Sequence, residues 1–308
     1  MRSSFLLSAV LVVSLYPCAA QTAAPVIAAM GFTLPIPLPV APGGLVTLYV
    51  AAADGSNLTA VYSNGTDQPM PVIRTASVPL HCTGPAATCA QILGVTMQIP
   101  FGIATYCAPC DRPSQPAGSI ALIVNGAKTP PLAVVPFPDE VHILTACDAV
   151  IGGSGWPALN GGLPCAPVVT HADGTPVSSG HPARAGEELT AYATGLGETN
   201  PSLTAGQPAP QSAPTVTSFA IDFNFRVNAL ATQPGVTSTV TPLFTGATQG
   251  YAGLYQINFI VPAPPAGLPP CVIGTFAAGG VGVQSNLTVS VGSHTSFDGA
   301  GICVQPAS

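Results

Sequence analysis

Three observations predict an all-β protein built as two tandem immunoglobulin-like β-sandwich domains, disulfide-stabilised. Its 33 glycines and 35 prolines are spread between short runs of β-forming residues rather than gathered in one block, the punctuation of many short strands and turns. The sustained helix-like apolar run lies at the N-terminus. Stretches of the first half recur, diverged, in the second.

Residues 1–20 read as a secretory signal peptide. Arg2 supplies the positive charge, residues 5–16 the apolar core, Pro17 the break, and Cys18-Ala19-Ala20 the small residues before a cut at Gln21. The apolar run of about 12 residues is shorter than the roughly 20 that a membrane-spanning helix needs. A lipoprotein signal with Cys18 acylated is the competing reading; Tyr16 and Pro17 stand where it wants small residues. The expected localisation is therefore secreted, extracellular or periplasmic, with no membrane insertion after signal cleavage.

About 288 residues remain, a length that favours two domains, each long enough to bury its own core. The expected division is a first sandwich over 21–150, a Gly/Pro-rich linker over 151–167 and a second sandwich over 168–308.

In the first half, residues 42–50, 94–100 and 120–126 carry β-forming runs. Residues 42–50 resemble 185–193, residues 94–100 are a weaker echo of the stretch 244–262, and residues 120–126 resemble 271–277. The offsets are about 143 to 162 residues, too long for a solenoid, whose repeats run about 20 to 50. The clearest strand is 219–228. Phe219, Ile221, Phe223, Phe225 and Val227 alternate with Ala220, Asp222, Asn224, Arg226 and Asn228, the pattern of a half-buried antiparallel strand. Residues 286–291 alternate in the same way, and so do Tyr255, Ile257, Phe259 and Val261, with Ile260 the exception and Pro262 the stop. The turn ahead of that strand carries Gly246, Gly250 and Gly253, expected to serve backbone conformations that a Cβ resists.

Eight cysteines follow the signal: Cys82, Cys89, Cys107, Cys110, Cys147, Cys165, Cys271 and Cys303. An even number in an exported chain predicts disulfides. Local closure favours Cys82–Cys89, Cys107–Cys110, Cys147–Cys165 and Cys271–Cys303, although eight cysteines permit about 105 pairings.

Charged residues are 6% of the chain, against about 25% in ordinary domains. Past the signal, Lys and Arg occur at Arg74, Arg112, Lys128, Arg184 and Arg226. So few and so scattered, they exclude nucleic acid as a partner.

The motifs that invite chemistry lack its context. Cys107-Ala108-Pro109-Cys110 has redox spacing, but Pro113 and Pro116 replace the helix that would lower the thiol pKa, so a structural bridge is expected. His81, His142, His171, His181 and His294 show no zinc spacing; no metal and no cofactor are expected. In Gly152-Gly153-Ser154-Gly155-Trp156 the second glycine of a nucleophile elbow is Trp156. Asp139-Glu140 and Glu187-Glu188 are adjacent, and strand neighbours point to opposite faces, so neither pair suits acid–base work; Glu187 and Glu188 read as the polar start of a strand. Trp156 and Tyr251, in Gly-rich loops, are the ligand-binding candidates.

In order along the second half come His171-Ala172-Asp173-Gly174-Thr175-Pro176-Val177, then His181-Pro182-Ala183-Arg184-Ala185-Gly186-Glu187-Glu188-Leu189-Thr190-Ala191-Tyr192-Ala193-Thr194-Gly195-Leu196-Gly197, then Gly206-Gln207-Pro208-Ala209-Pro210, then the turn and strand ending at Pro262. In this order the chain resembles the Solibacter-type C-terminal domain family, exported acidobacterial proteins whose module looks like a TIG/IPT immunoglobulin-like sandwich. The resemblance covers roughly residues 90–292. It implies a fold and a compartment but no catalytic residues, and the cysteines are not part of its pattern.

The expected function is a secreted non-enzymatic structural or interaction module, with an unknown protein or glycan at the cell surface as partner. The alternative is a carbohydrate-binding module using loop aromatics.

Overall fold

The computed structural model describes residues 26–30, 37–51, 57–79, 91–106, 117–148, 165–231, 239–275, 281–293 and 295–307. Among these residues every regular element is a strand.

The first half contains β1 (Val26–Met30), β2 (Leu38–Val40), β3 (Leu45–Ala51), β4 (Leu58–Ser63), β5 (Asp67–Met70), β6 (Val72–Pro79), β7 (Gln91–Gln98), β8 (Gly118–Val124), β9 (Ala127–Lys128) and β10 (Leu132–Pro136). They form two sheets, β1-β3-β7-β6 and β2-β10-β8-β4-β5, with β9 paired to β8. Leu48, Val50, Val95 and Met97 from one sheet and Tyr62, Ile120, Leu122 and Val134 from the other make one buried core.

The second half contains β11 (His142–Ile143), β12 (Val169–His171), β13 (Glu188–Thr194), β14 (Ala213–Pro214), β15 (Ala220–Asn224), β16 (Phe244–Ala247), β17 (Tyr255–Ile260), β18 (Val272–Thr275), β19 (Val281–Gln284), β20 (Leu287–Gly292) and β21 (Phe297–Ile302). One sheet runs β11-β13-β17-β16-β14 with β12 on β13; the other is β15-β20-β21. Leu189, Ala191, Ile257 and Phe259 meet Ile221, Val289, Val291 and Ile302 in a second core. The Phe223 and Phe259 rings, one from each sheet, pack 6.0 Å apart.

Both halves have immunoglobulin-like strand order, a sheet A-B-E-D facing a sheet C-F-G. The first half supplies it as β1-β3-β7-β6 and β4-β8-β10, the second as β11-β13-β17-β16 and β15-β20-β21. The parallel contact of the entering chain with the last strand also repeats, as β2 on β10 and as the Ala183–Val304 bridge. Duplication therefore extends to topology. Two of the three expected matches hold, since β3 pairs with β7 as β13 pairs with β17. The third does not: β8 is an interior strand, whereas β18 pairs with β19 in a separate two-stranded ribbon. The counterpart of β8 is β20, and the β18–β19 ribbon lies between β17 and β20.

Two strands differ from their predicted pattern. β15 stops at Asn224, and Asn228 lies at φ 48°, so Phe225 and Val227 do not extend the strand. The following segment folds over the neighbouring strand, where Thr288 Oγ1 donates to Ala229 O at 2.8 Å. β20 is accordingly buried on both faces, Thr288 and Ser290 included. In the glycine turn, Gly250 and Gly253 take φ of 84° and 70°. Gly246 is needed for room, because a Cβ there would overlap the Ala213 carbonyl oxygen.

The chain crosses between the sandwiches ahead of residue 142, because β11 already pairs with β13 and Val141 and Ile143 sit in the second core. This corrects the expectation of a first domain to 150 and a linker over 151–167. Residues 151–164 lie outside the described residues. The flanks of that segment run antiparallel within the second sandwich, with Ala146 N donating to Ala166 O and Val168 N to Leu144 O, 2.8 and 2.7 Å. A two-residue strand is too short to show a periodicity.

The joint itself is made by strand ends. Gln98, 1% exposed, donates through Nε2 to Gly43 O at 2.9 Å and accepts through Oε1 from Gly206 N at 2.6 Å. Leu45 N donates to Thr194 Oγ1 at 2.8 Å, and Gly102 N to Glu198 Oε1 at 2.6 Å. The buried Tyr255 hydroxyl donates to Gly197 O at 2.7 Å. The backbones approach so closely that a Cβ on Gly44 would stand 3.3 Å from Gly195 Cα.

Candidate functional site

Cys147–Cys165 and Cys271–Cys303 form disulfides, with Cα separations of 5.2 and 5.6 Å. The first closes the base of the 151–164 segment; the second ties the start of β18 to the chain beyond β21. Cys82, Cys89, Cys107, Cys110 and Trp156 lie outside the described residues. Tyr251 sits in the β16–β17 turn and is 59% exposed. Its backbone is engaged, accepting from Ala209 N at 3.0 Å and donating to Thr248 O at 3.3 Å.

At the other end of the β13–β17 ladder a polar cleft opens, about 820 Å³ in volume, with His171, Asp173, His181, Arg184, Glu187 and Gln305 in its lining. The register places Glu188 opposite Ile260 at the cleft end and Ala193 opposite Tyr255 at the joint end. The ladder between them is roughly 17 Å long at about 3.4 Å per residue, so Tyr251 and the cleft do not share a surface.

His171 organises the floor. Its Nδ1 faces Glu187 Oε1 at 2.6 Å and its Nε2 faces His181 O at 3.1 Å. Both partners are acceptors, so both ring nitrogens donate and the ring is an imidazolium. Burial works against that charge, but the hydrogen bonds to Glu187 and the His181 carbonyl and the charges of Glu187 and Asp173 together outweigh it, and the His171 pKa rises. Burial likewise opposes ionisation of Glu187, and His171 together with the Arg184 amide and charge more than offsets it, so that carboxyl is held low. Glu187 Oε2 accepts from Arg184 N at 2.8 Å. Asp173 caps the turn, its Oδ1 accepting from Thr175 N at 2.9 Å. The residue-by-residue reading missed this cleft. Its residues, His171, Asp173, Arg184 and Glu187, are brought to one end of the sheet only by the turns at 172–175 and 178–187.

A second polar cluster lies where the chain enters the second sandwich. Asp139 is 1% exposed and accepts from the hydroxyls of Ser293 and Thr295, each at 2.6 Å, and from Ser296. His142 sits between Asp148, 3.1 Å from Nε2, and Asp298, 3.3 Å from Nδ1. Burial lowers its pKa, but those two carboxylates overcome it and lift it to about 9. Burial and then the charge of Asp139 raise neighbouring Glu140 to about 7. Asp298 also accepts from Ile143 N at 2.6 Å, and Asp148 from Thr145 N at 2.5 Å. With its acceptors engaged by backbone and hydroxyl donors, the cluster locks β11 onto β21.

Among the described residues no group of three or more His, Cys, Asp or Glu side chains is arranged to hold a metal ion, and no helix is long and apolar enough to cross a membrane.

No family model matches the chain, and no curated protein matches it. Among solved structures, a titin A168169 structure is similar at 7% identity over 88% of this chain and 94% of that one, with a TM-score of 0.16. The C-terminal domain of the AgI/II polypeptide BspA of Streptococcus agalactiae is similar at 11% identity over 88% and 93%, with a TM-score of 0.17. At these scores neither carries an argument, and the immunoglobulin-like assignment rests on the strand order of the two sandwiches.

Proposed function

We propose that the protein is a secreted, non-enzymatic structural or interaction module in which two sandwiches act as one rigid unit at the cell surface. The observation that carries this reading is the joint: buried Gln98 is hydrogen-bonded on both sides, to Gly43 in its own sandwich and to Gly206 in the other. A hinge would expose such groups to water, whereas a buried amide with both ends engaged holds one orientation. Export rests on the N-terminal signal, and mature protein is expected to begin at Gln21. The Solibacter-type resemblance belongs to the same proposal.

Small-angle scattering of the mature chain tests the rigid unit. The wild-type profile is expected to fit a single arrangement of the sandwiches. Gln98→Ala leaves the Gly206 N–H without its partner, at a cost of about 1 to 3 kcal/mol, and is expected to broaden the distance distribution while each sandwich stays folded. A wild-type profile that requires many orientations would overturn the proposal, and so would reproducible hydrolase turnover.

Tyr251 favours the second reading, a carbohydrate-binding module acting through a loop aromatic. Its ring is exposed on a turn held by backbone hydrogen bonds, the form of a stacking platform. Loss of glycan binding in Tyr251→Ala is its test.

A further inference from the structure

We propose that the cleft at the distal end of the second sandwich binds a carboxylate-bearing glycan, a uronate oligosaccharide. The inference rests on the interaction-module reading and names a ligand class for it.

The charges come first. The whole chain carries a formal −6, yet His171, His181 and Arg184 gather in this one cleft with Asp173 and Glu187. The two carboxylates are already engaged. Glu187 is held by the His171 ring on one oxygen and the Arg184 amide on the other, and Asp173 holds the Thr175 amide. What faces solvent is the exposed Arg184 side chain, whose charge helps hold Glu187 ionised but whose guanidinium makes no hydrogen bond among the described residues. By contrast, Lys128 is paired with Asp67 at 3.0 Å. A single planar guanidinium with a neutralised floor behind it matches one carboxylate, bound through two parallel N–H donors. A phosphate dianion would call for further positive charge.

The backbone then selects the kind of molecule. A peptide added as a strand needs free main-chain donors and acceptors along the wall. Here the walls are closed. On one side His171 N donates to Thr175 O and Val177 N to Val169 O, each at 2.9 Å. On the other, Ala183 N donates to Cys303 O at 2.9 Å and Gln305 N to Ala183 O at 2.8 Å. A ligand must therefore be met by side chains. The Gln305 amide and Ser179 hydroxyl in the lining offer donors and acceptors of the kind that sugar hydroxyls pair with.

Calorimetric titration of the mature chain with tri-galacturonate, with its methyl ester and with an acetylated acidic peptide tests the proposal. Tri-galacturonate is expected to bind. Esterification and Arg184→Gln should each weaken it about tenfold or more, the size of a lost charge-assisted pair. Arg184 is exposed, so this variant keeps its fold. No heat with tri-galacturonate at about 1 mM, equal affinity in Arg184→Gln, or a preference for the peptide would each overturn it. None of these outcomes bears on scattering from the joint, so the two readings fail separately.

Discussion

Gly195→Ala is expected to lower the unfolding temperature by about 5 °C. Gly195 has φ +79°, and a Cβ on it would overlap the Glu140 carbonyl oxygen, with the Glu140 Cα at 3.7 Å. The obstruction is backbone, which cannot swing aside as a side chain would. It is also backbone in use, because Glu140 N donates to Gly195 O at 2.7 Å. The left-handed conformation costs about 1 to 2 kcal/mol for a residue with a Cβ, and forcing the segments apart adds about 1 to 3 kcal/mol. A total near 3 kcal/mol corresponds to about 5 °C in a chain of this size. Gly126→Ala is the control: φ is +82° and a Cβ would meet nothing within 4 Å. It should show the conformational cost alone, about a third to a half as large. Paired thermal melts decide the matter, and equal losses in the two variants would refute the role of the close approach.

Stability is expected to be greatest near pH 5 and to fall by several kcal/mol by pH 9. The folded His142 pKa of about 9 lies above the ordinary 6.5. The folded state thus holds that proton more tightly than the unfolded chain. The stabilisation is complete below pH 6.5 and is lost as the pH rises toward 9. Glu140, raised from 4.5 to about 7, acts in the same direction over a lower window, 4.5 to 7. His171 is also raised and adds to the upper loss. Asp148 is held low, burial opposing its charge and His142 prevailing, so stability falls again on acidification below about pH 4. His142→Gln should flatten the profile between pH 6.5 and 9, and Glu140→Gln that between 4.5 and 7. Melts across this range give the answer; a wild-type profile level from pH 6.5 to 9 would exclude the His142 lock.

Much of the fold was legible because strand and turn signals are local. β17 was predicted residue by residue: its burial alternates, Ile260 is the exposed exception and Pro262 follows its end. The likeness of residues 42–50 to 185–193 located β3 and β13, which hold equivalent places. Where side chains alternate but a later segment covers the polar face, periodicity misleads. β20 alternates Leu287, Val289 and Val291, which face the core, with Thr288 and Ser290, yet the polar pair is buried too, Thr288 bonding to Ala229 of the segment that covers that face. The match of 120–126 to 271–277 failed because two short apolar runs look alike whether they lie inside a sheet or in a ribbon. Glu187, which the sequence presents as the polar start of a strand, is the partner of His171 across sixteen positions. Nothing in local spacing announces that contact.

Composition, punctuation and repetition by themselves determined an all-β chain of two related sandwiches and the main strands that carry each core. These are consequences of short-range backbone preference and of apolar side chains leaving water. The pairings Cys147–Cys165 and Cys271–Cys303, favoured by local closure among about 105, were fixed by the structure. The tertiary structure alone decided where the chain crosses between sandwiches, which carboxylates are buried against hydroxyls and imidazoles, and that Tyr251 and the polar cleft stand at opposite ends of one ladder. Those outcomes depend on which distant segments meet and on the desolvation and pairing of charge that follow, and such quantities come into being only once the sheets have packed.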